Sequence, residues 1–270
     1  MITEQPFLSE IWVYPVKSLG GVRLETAQVE ERGLQYDRRW LIVDGNGTFL
    51  TQRAHPEMAL IDVAIREDSL LLSHRGNPAN AVTVPLSANF SREVTVKIWK
   101  DMVPAQAVSK AADDWLSDHL QRQVRIVALS EHADRRSPDI AGQARRLISF
   151  ADDFPFHLTS ESSLGELNSR LPEPVGMNRF RPNFVITGAT PFAEDTWKSI
   201  RISDLVFDLI SPCERCAVVT INQETGRKGL EPLRTLSKFR RKERHILFGQ
   251  NVTGRGNGII RTGDAVQIIR

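Results

Sequence analysis

"LISPCERCAVVTIN" (209–222) holds the chain's only two cysteines, Cys213 and Cys216, with Pro212 before them and Arg215 between them. Both flanks are apolar and β-branched, as strands are. The stretch therefore reads as a proline turn between two strands, with "AVVTIN" as the second strand. Four roles compete for thiols three residues apart: a structural zinc clip, a redox dithiol, a thiolate ligand for another cofactor, or two small buried side chains. Structural zinc takes four ligands, typically two Cys-x-x-Cys pairs or one pair plus histidines at finger spacing. The six histidines (55, 74, 119, 132, 157 and 245) offer no such spacing. A thioredoxin-like dithiol puts its first cysteine at a helix N-terminus, and a strand-like continuation disfavours that. Burial as a small apolar residue suits cysteine in general, but Pro212, Glu214 and Arg215 share this turn and point to partial exposure. Arg215 favours a thiolate there, and a soft thiolate on a rigid turn suits a soft metal.

Outward from this turn the chain keeps a β character. "LSEIWVYPV", "RLETAQVEE", "RRWLIVD", "GTFLTQR", "SLLLS" and "REVTVKIW" are short and rich in β-branched and aromatic residues, punctuated by Gly20-Gly21, Gly33 and the hairpin signal "DGNG" (44–47). "SKAADDWLSDHL" (109–120) sets Ala112, Trp115, Leu116 and Leu120 on one face of a helix. "QVRIVAL" reads as a strand. "EHADRRSPDIAGQAR" (131–145) is polar and aperiodic, a linker or mobile loop. In "FHLTSESSLGELNSRL", Ser163 and Glu166 form a capping box, with Pro172 and Pro174 stopping the helix. Strands return in "RPNFVIT", "SIRISDLVFDLI" and "DAVQIIR", with "RTGD" (261–264) as a hairpin turn before the last. The expected fold is mainly β with some α, barrel-like: an N-terminal β-rich domain over 1–125, a linker over 126–145 and a second domain over 146–270. No repeat or low-complexity tract is visible.

At 270 residues, 41% hydrophobic and 25% charged, the chain can bury a substantial core. Its 35 basic and 33 acidic residues balance to a net +2, which argues against nucleic-acid or membrane-surface partners. The densest basic run, "KFRRKERH" (238–245), reads as a solvated face, with a docking surface as the alternative. No run approaches the roughly 18 apolar residues of a membrane helix, and "MITEQPFLSEIWVYPVKS" lacks a secretory pattern. A cytoplasmic location is the default expectation.

Nine segments in order carry a resemblance: "YPVKSLGG" (14–21), "GLQYDRRWLIVD" (33–44), "SSLGELNSRL" (162–171), "NRFRPNFVITG" (178–188), "EDTWKSIRISD" (194–204), "PCERCAVVTIN" (212–222), "EPLRTL" (231–236), "LFGQN" (247–251) and "IRTGDAVQI" (260–268). Together they resemble the MOSC-domain proteins that bind molybdenum cofactor, nearest to bacterial N-hydroxylated-base reductases and the mitochondrial amidoxime-reducing component. The resemblance implies a MOSC β-barrel preceded by a MOSC-associated β-rich domain, and a molybdenum ligand at Cys216 with Cys213 as a neighbour. It places Lys17, Ser18, Arg38 and Arg181 around the cofactor. Guanidinium forks suit its phosphate and pterin oxygens. Thr159 and Ser160 are expected as hydroxyl donors, Asn183 as a partner of the pterin ring, and Arg215 over the cofactor. Arg38 and Arg39, if on a strand, point to opposite faces, and the register favours Arg38. Asn168, Arg170, Asp195 and Trp197 read as packing or capping residues.

The implied activity is reduction of N-hydroxylated compounds (amidoximes, hydroxylamines or N-hydroxylated bases) by removal of the oxygen atom. With no cysteines beyond the pair, electrons are expected from a separate flavin, iron–sulfur or haem carrier. Two other readings stay open: a sulfur carrier using a Cys216 persulfide, and a non-catalytic cofactor-binding module.

Overall fold

The computed structural model describes residues 5–87, 92–142 and 144–269. The first four residues of the N-terminal stretch, Gln143 of the expected linker and Arg270 of the expected last strand lie outside that description. The chain is mainly β, with three short α-helices among the described residues: α1 (Lys110–Leu120), α2 (Glu161–Asn168) and α3 (Leu233–Phe239).

The largest sheet runs Val266–Ile269, Ser199–Ile202, Leu205–Glu214, His245–Arg255, Phe156–Ser160, Phe184–Thr187, Phe7–Val13 and Val22–Leu24, with the short strand Arg241–Lys242 pairing beside His245–Arg255. All its pairs are antiparallel except Phe156–Ser160 with Phe184–Thr187, which α2 connects. Register shifts at Leu8/Glu10, Leu209/Ser211 and Pro212/Glu214 bend two of these strands, as bulges do. Inward residues of the sheet, among them Leu8, Ile11, Phe156, Phe184, Phe207 and Val252, form one buried cluster. Gly249 (φ +75) lets the His245–Arg255 strand approach closely: a Cβ there would lie 2.6 Å from both His157 Nε2 and the Leu158 carbonyl oxygen.

A four-stranded sheet (Trp40–Asp44, Val124–Leu129, Asp101–Ala107, Glu93–Ile98) and a three-stranded one (Ile61–Ile65, Ser69–His74, Asn77–Pro85) build the other region. α1 packs Ala112, Leu116 and Leu120 into its core, capped by the Ser109 hydroxyl accepting from the Ala112 N–H. The sequence patterns for this helix and these strands match the structure because alternation and 3.6-residue periodicity are local signals.

Other expectations are corrected. The boundary at residue 125 falls inside the strand Val124–Leu129, so the connecting segment starts after Leu129. Strands Phe7–Val13 and Val22–Leu24 belong to the large sheet, and Thr26–Glu30 pairs with Gly258–Arg261. The two halves are therefore laced together by long-range pairing. "RTGD" is a corner between two sheets, since the strands on either side of it pair elsewhere. "GTFLTQR" makes only isolated bridges. The segment after Leu129 is tethered: Arg135, 6% exposed, donates to Asp101, to the Ser149 carbonyl at 2.9 Å, to the Ala151 carbonyl and to the Asp152 carbonyl at 2.9 Å. Helix α2 starts at Glu161 with Ser160 as its N-cap, three residues ahead of the N-cap of the expected capping box. Among the described residues no helix is long and apolar enough to cross a membrane.

Candidate functional site

The site forms where the turn Tyr14–Gly20 and residues Asp37–Arg38 meet the strand ends at His157 and Asn183 and the turn carrying the cysteines. Tyr14 is its pivot. The ring is 2% exposed and lies between two guanidinium groups, Arg181 at 4.1 Å and Arg38 at 4.5 Å from its centroid, each a cation–π contact. Its hydroxyl donates to the Pro182 carbonyl at 3.2 Å. Gly21 leaves the space this ring occupies, since a Cβ there would meet Tyr14 Cε1 at 2.6 Å.

Arg38 donates from Nη1 to Asp37 at 2.6 Å and to Asn183 Oδ1 at 3.2 Å, and from Nη2 to the Arg181 carbonyl at 3.2 Å. Arg39 turns away to Glu30 at 2.7 Å. The divergence expected of this pair is present, but not from a strand: Arg38 has φ 50 and precedes Trp40–Asp44. Ser18 (φ 70) and Arg181 (φ 54) share that left-handed conformation, which non-glycine residues adopt rarely and which concentrates at functional sites. Three of the residues expected around a ligand are thus held in strained backbone.

Lys17, 7% exposed, donates to Asp152 at 2.6 Å, and Asp152 also accepts from Trp99 Nε1 at 2.9 Å. Burial pushes the Lys17 ammonium down, and the Asp152 charge opposes this. For Asp152, burial acts upward, but Lys17 and the hydrogen bonds from Lys17 and Trp99 together hold the carboxyl well below its usual range. The Asp152 side chain is 60% exposed, so this pair lies at the rim and solvent screens it.

The second wall is cationic without carboxylates. Arg181 donates to the Leu19 carbonyl at 2.8 Å, and burial pushes its pKa down to about 10. Arg215 donates to the Phe180 carbonyl at 2.8 Å and to Cys213 Sγ at 3.0 Å, and contacts His157 Nε2 at 3.3 Å; its buried Nε has no partner among the described residues. Burial, then the Arg215 and Arg38 charges, drives His157 well below its usual pKa, so the imidazole is neutral. Arg179 donates to the Val219 carbonyl at 3.1 Å. None of these three guanidinium groups is within salt-bridge distance of a carboxylate among the described residues.

The cysteine turn differs from its expected form. Cys213 is the penultimate residue of the strand Leu205–Glu214, and Cys216 is the N-cap of a 3₁₀ turn over Ala217–Thr220, so "AVVTIN" is not a strand. Val219 and Thr220 are buried there, Thr220 Oγ1 donates to the Ala217 carbonyl and Arg179 holds the Val219 carbonyl. β-branched residues follow packing rather than an intrinsic backbone preference. The Cys216 thiol is exposed, while Cys213 is half-buried; burial pushes the Cys213 thiol up and Arg215 pulls it down. Among the described residues no cluster of three metal-ligating side chains occurs.

The expected site residues separate into two groups. Arg38 and Arg181 gather around Tyr14 and Arg215 meets His157, with Cys216 next in chain to Arg215, while Lys17 reaches Asp152 and the Ser18 carbonyl accepts from Gln52. Thr159, Ser160 and Asn183 lie behind them, at most 1% exposed. Thr159 Oγ1 donates to Met177 Sδ, and the Ser160 hydroxyl bonds Glu194 and caps α2. Asn183 accepts from Arg38 and the His157 N–H and donates to the Trp12 carbonyl. The polar atoms of all three have protein partners in this structure. Sequence reasoning missed Asp37, Asp152, His157 and Glu194. Each is a polar residue beside or within an apolar run ("YDRRW", "SFADDFPFHL", "PFAED"), a pattern that signals a buried network.

Two family models match this chain: the MOSC N-terminal beta barrel domain over residues 5–123 and the MOSC domain over residues 145–267. Mitochondrial amidoxime-reducing component 1 of Homo sapiens is 32% identical, the alignment covering 97% of this chain and 82% of that protein. The Xenopus laevis protein of the same name is 32% identical over 96% of this chain and 81% of its own length. The molybdenum cofactor sulfurase of Oryza sativa subsp. japonica is 33% identical over 90% of this chain, which spans only 32% of that longer protein. With these matches along its length, in a β-rich fold whose cysteine turn opens beside a wall of guanidinium groups, the chain belongs to the MOSC family.

Proposed function

We propose that this protein is a molybdenum-cofactor-dependent reductase of N-hydroxylated compounds, supplied with electrons by a separate carrier. The observation that carries this reading is the wall formed by Arg179, Arg181 and Arg215, half-buried and without carboxylate partners, next to the exposed Cys216. Buried cations normally have anionic partners, so such a wall fits an anionic ligand, and the exposed thiol fits a soft metal. The residues present therefore suit a phosphorylated, metal-bearing pterin.

In this reading Arg181, Arg215, Lys17 and Ser18 bind the anionic groups, Arg38 is oriented by Asp37 and Asn183, and Cys216 provides the protein thiolate. His157 stays neutral beside Arg215, so it adds an acceptor without neutralising the cation. Phe180 and Phe248, fully buried and stacked at 4.1 Å, back the wall and exclude water behind it. When bound, the cofactor supplies a two-electron couple that accepts the substrate oxygen. The overall balance for an amidoxime is RC(NH2)=NOH plus two electrons and two protons, giving RC(NH2)=NH and water.

A second reading, sulfur transfer through a Cys216 persulfide, is favoured by the exposure of that thiol and by the similarity to a sulfurase. Molybdenum and pterin content of protein made in a cofactor-competent host separates the two. Near-stoichiometric metal and pterin in the wild type, with metal lost and benzamidoxime reduction down at least about 100-fold in Cys216→Ala, is the expected result. Folded wild-type protein lacking both metal and pterin overturns the reductase reading and leaves a persulfide assay as the deciding measurement.

A further inference from the structure

Residues 227–244, "RKGLEPLRTLSKFRRKER", contain eight of the chain's 35 basic residues and two of its 33 acidic ones. This segment is net +6 in a chain of net +2, which leaves the rest net −4. Six of its cations, Arg227, Lys228, Lys238, Arg241, Lys242 and Arg244, are exposed and make no ion pair among the described residues. Leu230 stands among them with 68% of its surface open. Such a concentration exceeds the ordinary solvated face first expected of "KFRRKERH".

The segment wraps the exposed cysteine turn from two sides. On one side, the Gly229 N–H donates to the Thr220 carbonyl at 3.0 Å and the Asn222 N–H to the Arg227 carbonyl at 2.8 Å, fastening the loop to the residues just after Cys216. On the other side, the Arg215 N–H donates to the Ile246 carbonyl at 2.7 Å, and Glu214 pairs with Leu247 in the sheet. Between them α3 seats Leu236 against Val219 and Phe248. An open cavity of about 270 Å³ lies along the patch, lined by Pro212, Glu214, Lys242, Glu243, His245 and Leu247.

We propose that the 227–244 surface is the docking site of an acidic one-electron carrier protein, which delivers electrons beside Cys216. The inference rests on the reductase reading, which requires two electrons per turnover. Two molecules of a reduced carrier each give one electron and leave oxidised, and the two protons come from water. An exposed apolar residue within a ring of unpaired cations matches a transient redox interface, small and steered by charge. A membrane surface bearing anionic lipid shares the charge logic, but nothing in the segment resembles an amphipathic insertion helix, because α3 buries its apolar face in the protein.

The test uses the triple variant Arg241→Glu, Lys242→Glu, Arg244→Glu and the double variant Arg227→Glu, Lys228→Glu, with a plant-type [2Fe–2S] ferredoxin as the acidic probe. Binding of oxidised ferredoxin is measured by calorimetry against salt, and benzamidoxime reduction is driven either by reduced ferredoxin or, at high salt, by reduced methyl viologen. The expected result is a salt-sensitive wild-type affinity that falls about 10- to 100-fold in both variants, with viologen-driven turnover and metal content unchanged. Ferredoxin binding that the reversals leave intact overturns the proposal, and so does stronger wild-type binding to phosphatidylserine vesicles than to ferredoxin. Absent viologen-driven turnover in metal-loaded wild type overturns the reductase reading instead, and the binding titration still decides the surface.

Discussion

Lys17 and Arg38, from the first forty residues, each face a carboxylate at 2.6 Å, whereas Arg179, Arg181 and Arg215, from the second half, face carbonyl oxygens, a ring and a thiol. Both sets occupy one site, yet they are solved differently. Carbonyls satisfy N–H donors without neutralising the charge, so the second wall keeps a positive potential that the first has cancelled locally. A paired cation needs no ligand to be stable. An unpaired one, partly desolvated and in the case of Arg181 held at a strained φ, carries a cost that an anion can recover. The first wall is neutralised within the protein; the second keeps its positive charge.

Arg38→Met breaks this comparison most severely. Asp37 is 1% exposed, and removing the partner of a buried ion pair costs about 3–5 kcal/mol. The urea midpoint should fall accordingly, before any ligand is considered. A change under about 1 kcal/mol would mean that the Tyr14 N–H, which also donates to Asp37 at 2.8 Å, suffices for the carboxylate.

Arg181→Met tests the opposite wall and should move two quantities in different directions. Loss of a charge-assisted contact to an anion costs about 1.5–3 kcal/mol, so pterin retention should drop about 10- to 100-fold. Thermal stability of the ligand-free protein should stay level or rise, since a desolvated cation is removed and methionine can still pack on Tyr14. A fall in both would show that Arg181 is structural, and the two walls would no longer differ.

How far the sequence could be read follows the same division between local and non-local causes. Ser109 and the spacing of Ala112, Leu116 and Leu120 announce α1, because cap and face lie within one segment. Arg38 and Arg181 could be named as candidates from their motifs, but the single Tyr14 ring that gathers them joins positions more than a hundred residues apart. The Thr26–Glu30 strand pairs with Gly258–Arg261, a partner no local pattern identifies. "AVVTIN" has strand composition, and only the burial of Val219 with the clasp from Arg179 turns it into a 3₁₀ turn. Nor does any local pattern show that Ser160 pairs with Glu194, or Asn183 with Arg38.

The mildest test concerns the rim, where Asp152→Asn keeps the shape of the Lys17 pair and removes its negative charge. The wild-type carboxylate is well exposed, so the variant should lose less than about 1 kcal/mol of unfolding free energy near neutral pH. Its pH dependence has a definite sign. The folded-state pKa of Asp152 lies below its unfolded value of 3.8, so the contribution is fully present above that pH and fades as the pH falls below it. Wild type and variant should therefore converge in acid, measured by urea unfolding at successive pH values. A difference above about 3 kcal/mol would place this pair in the same class as Arg38 and Asp37. A small difference that vanishes in acid keeps the ordering in which burial of the carboxylate, more than its distance from the cation, decides what each pair is worth.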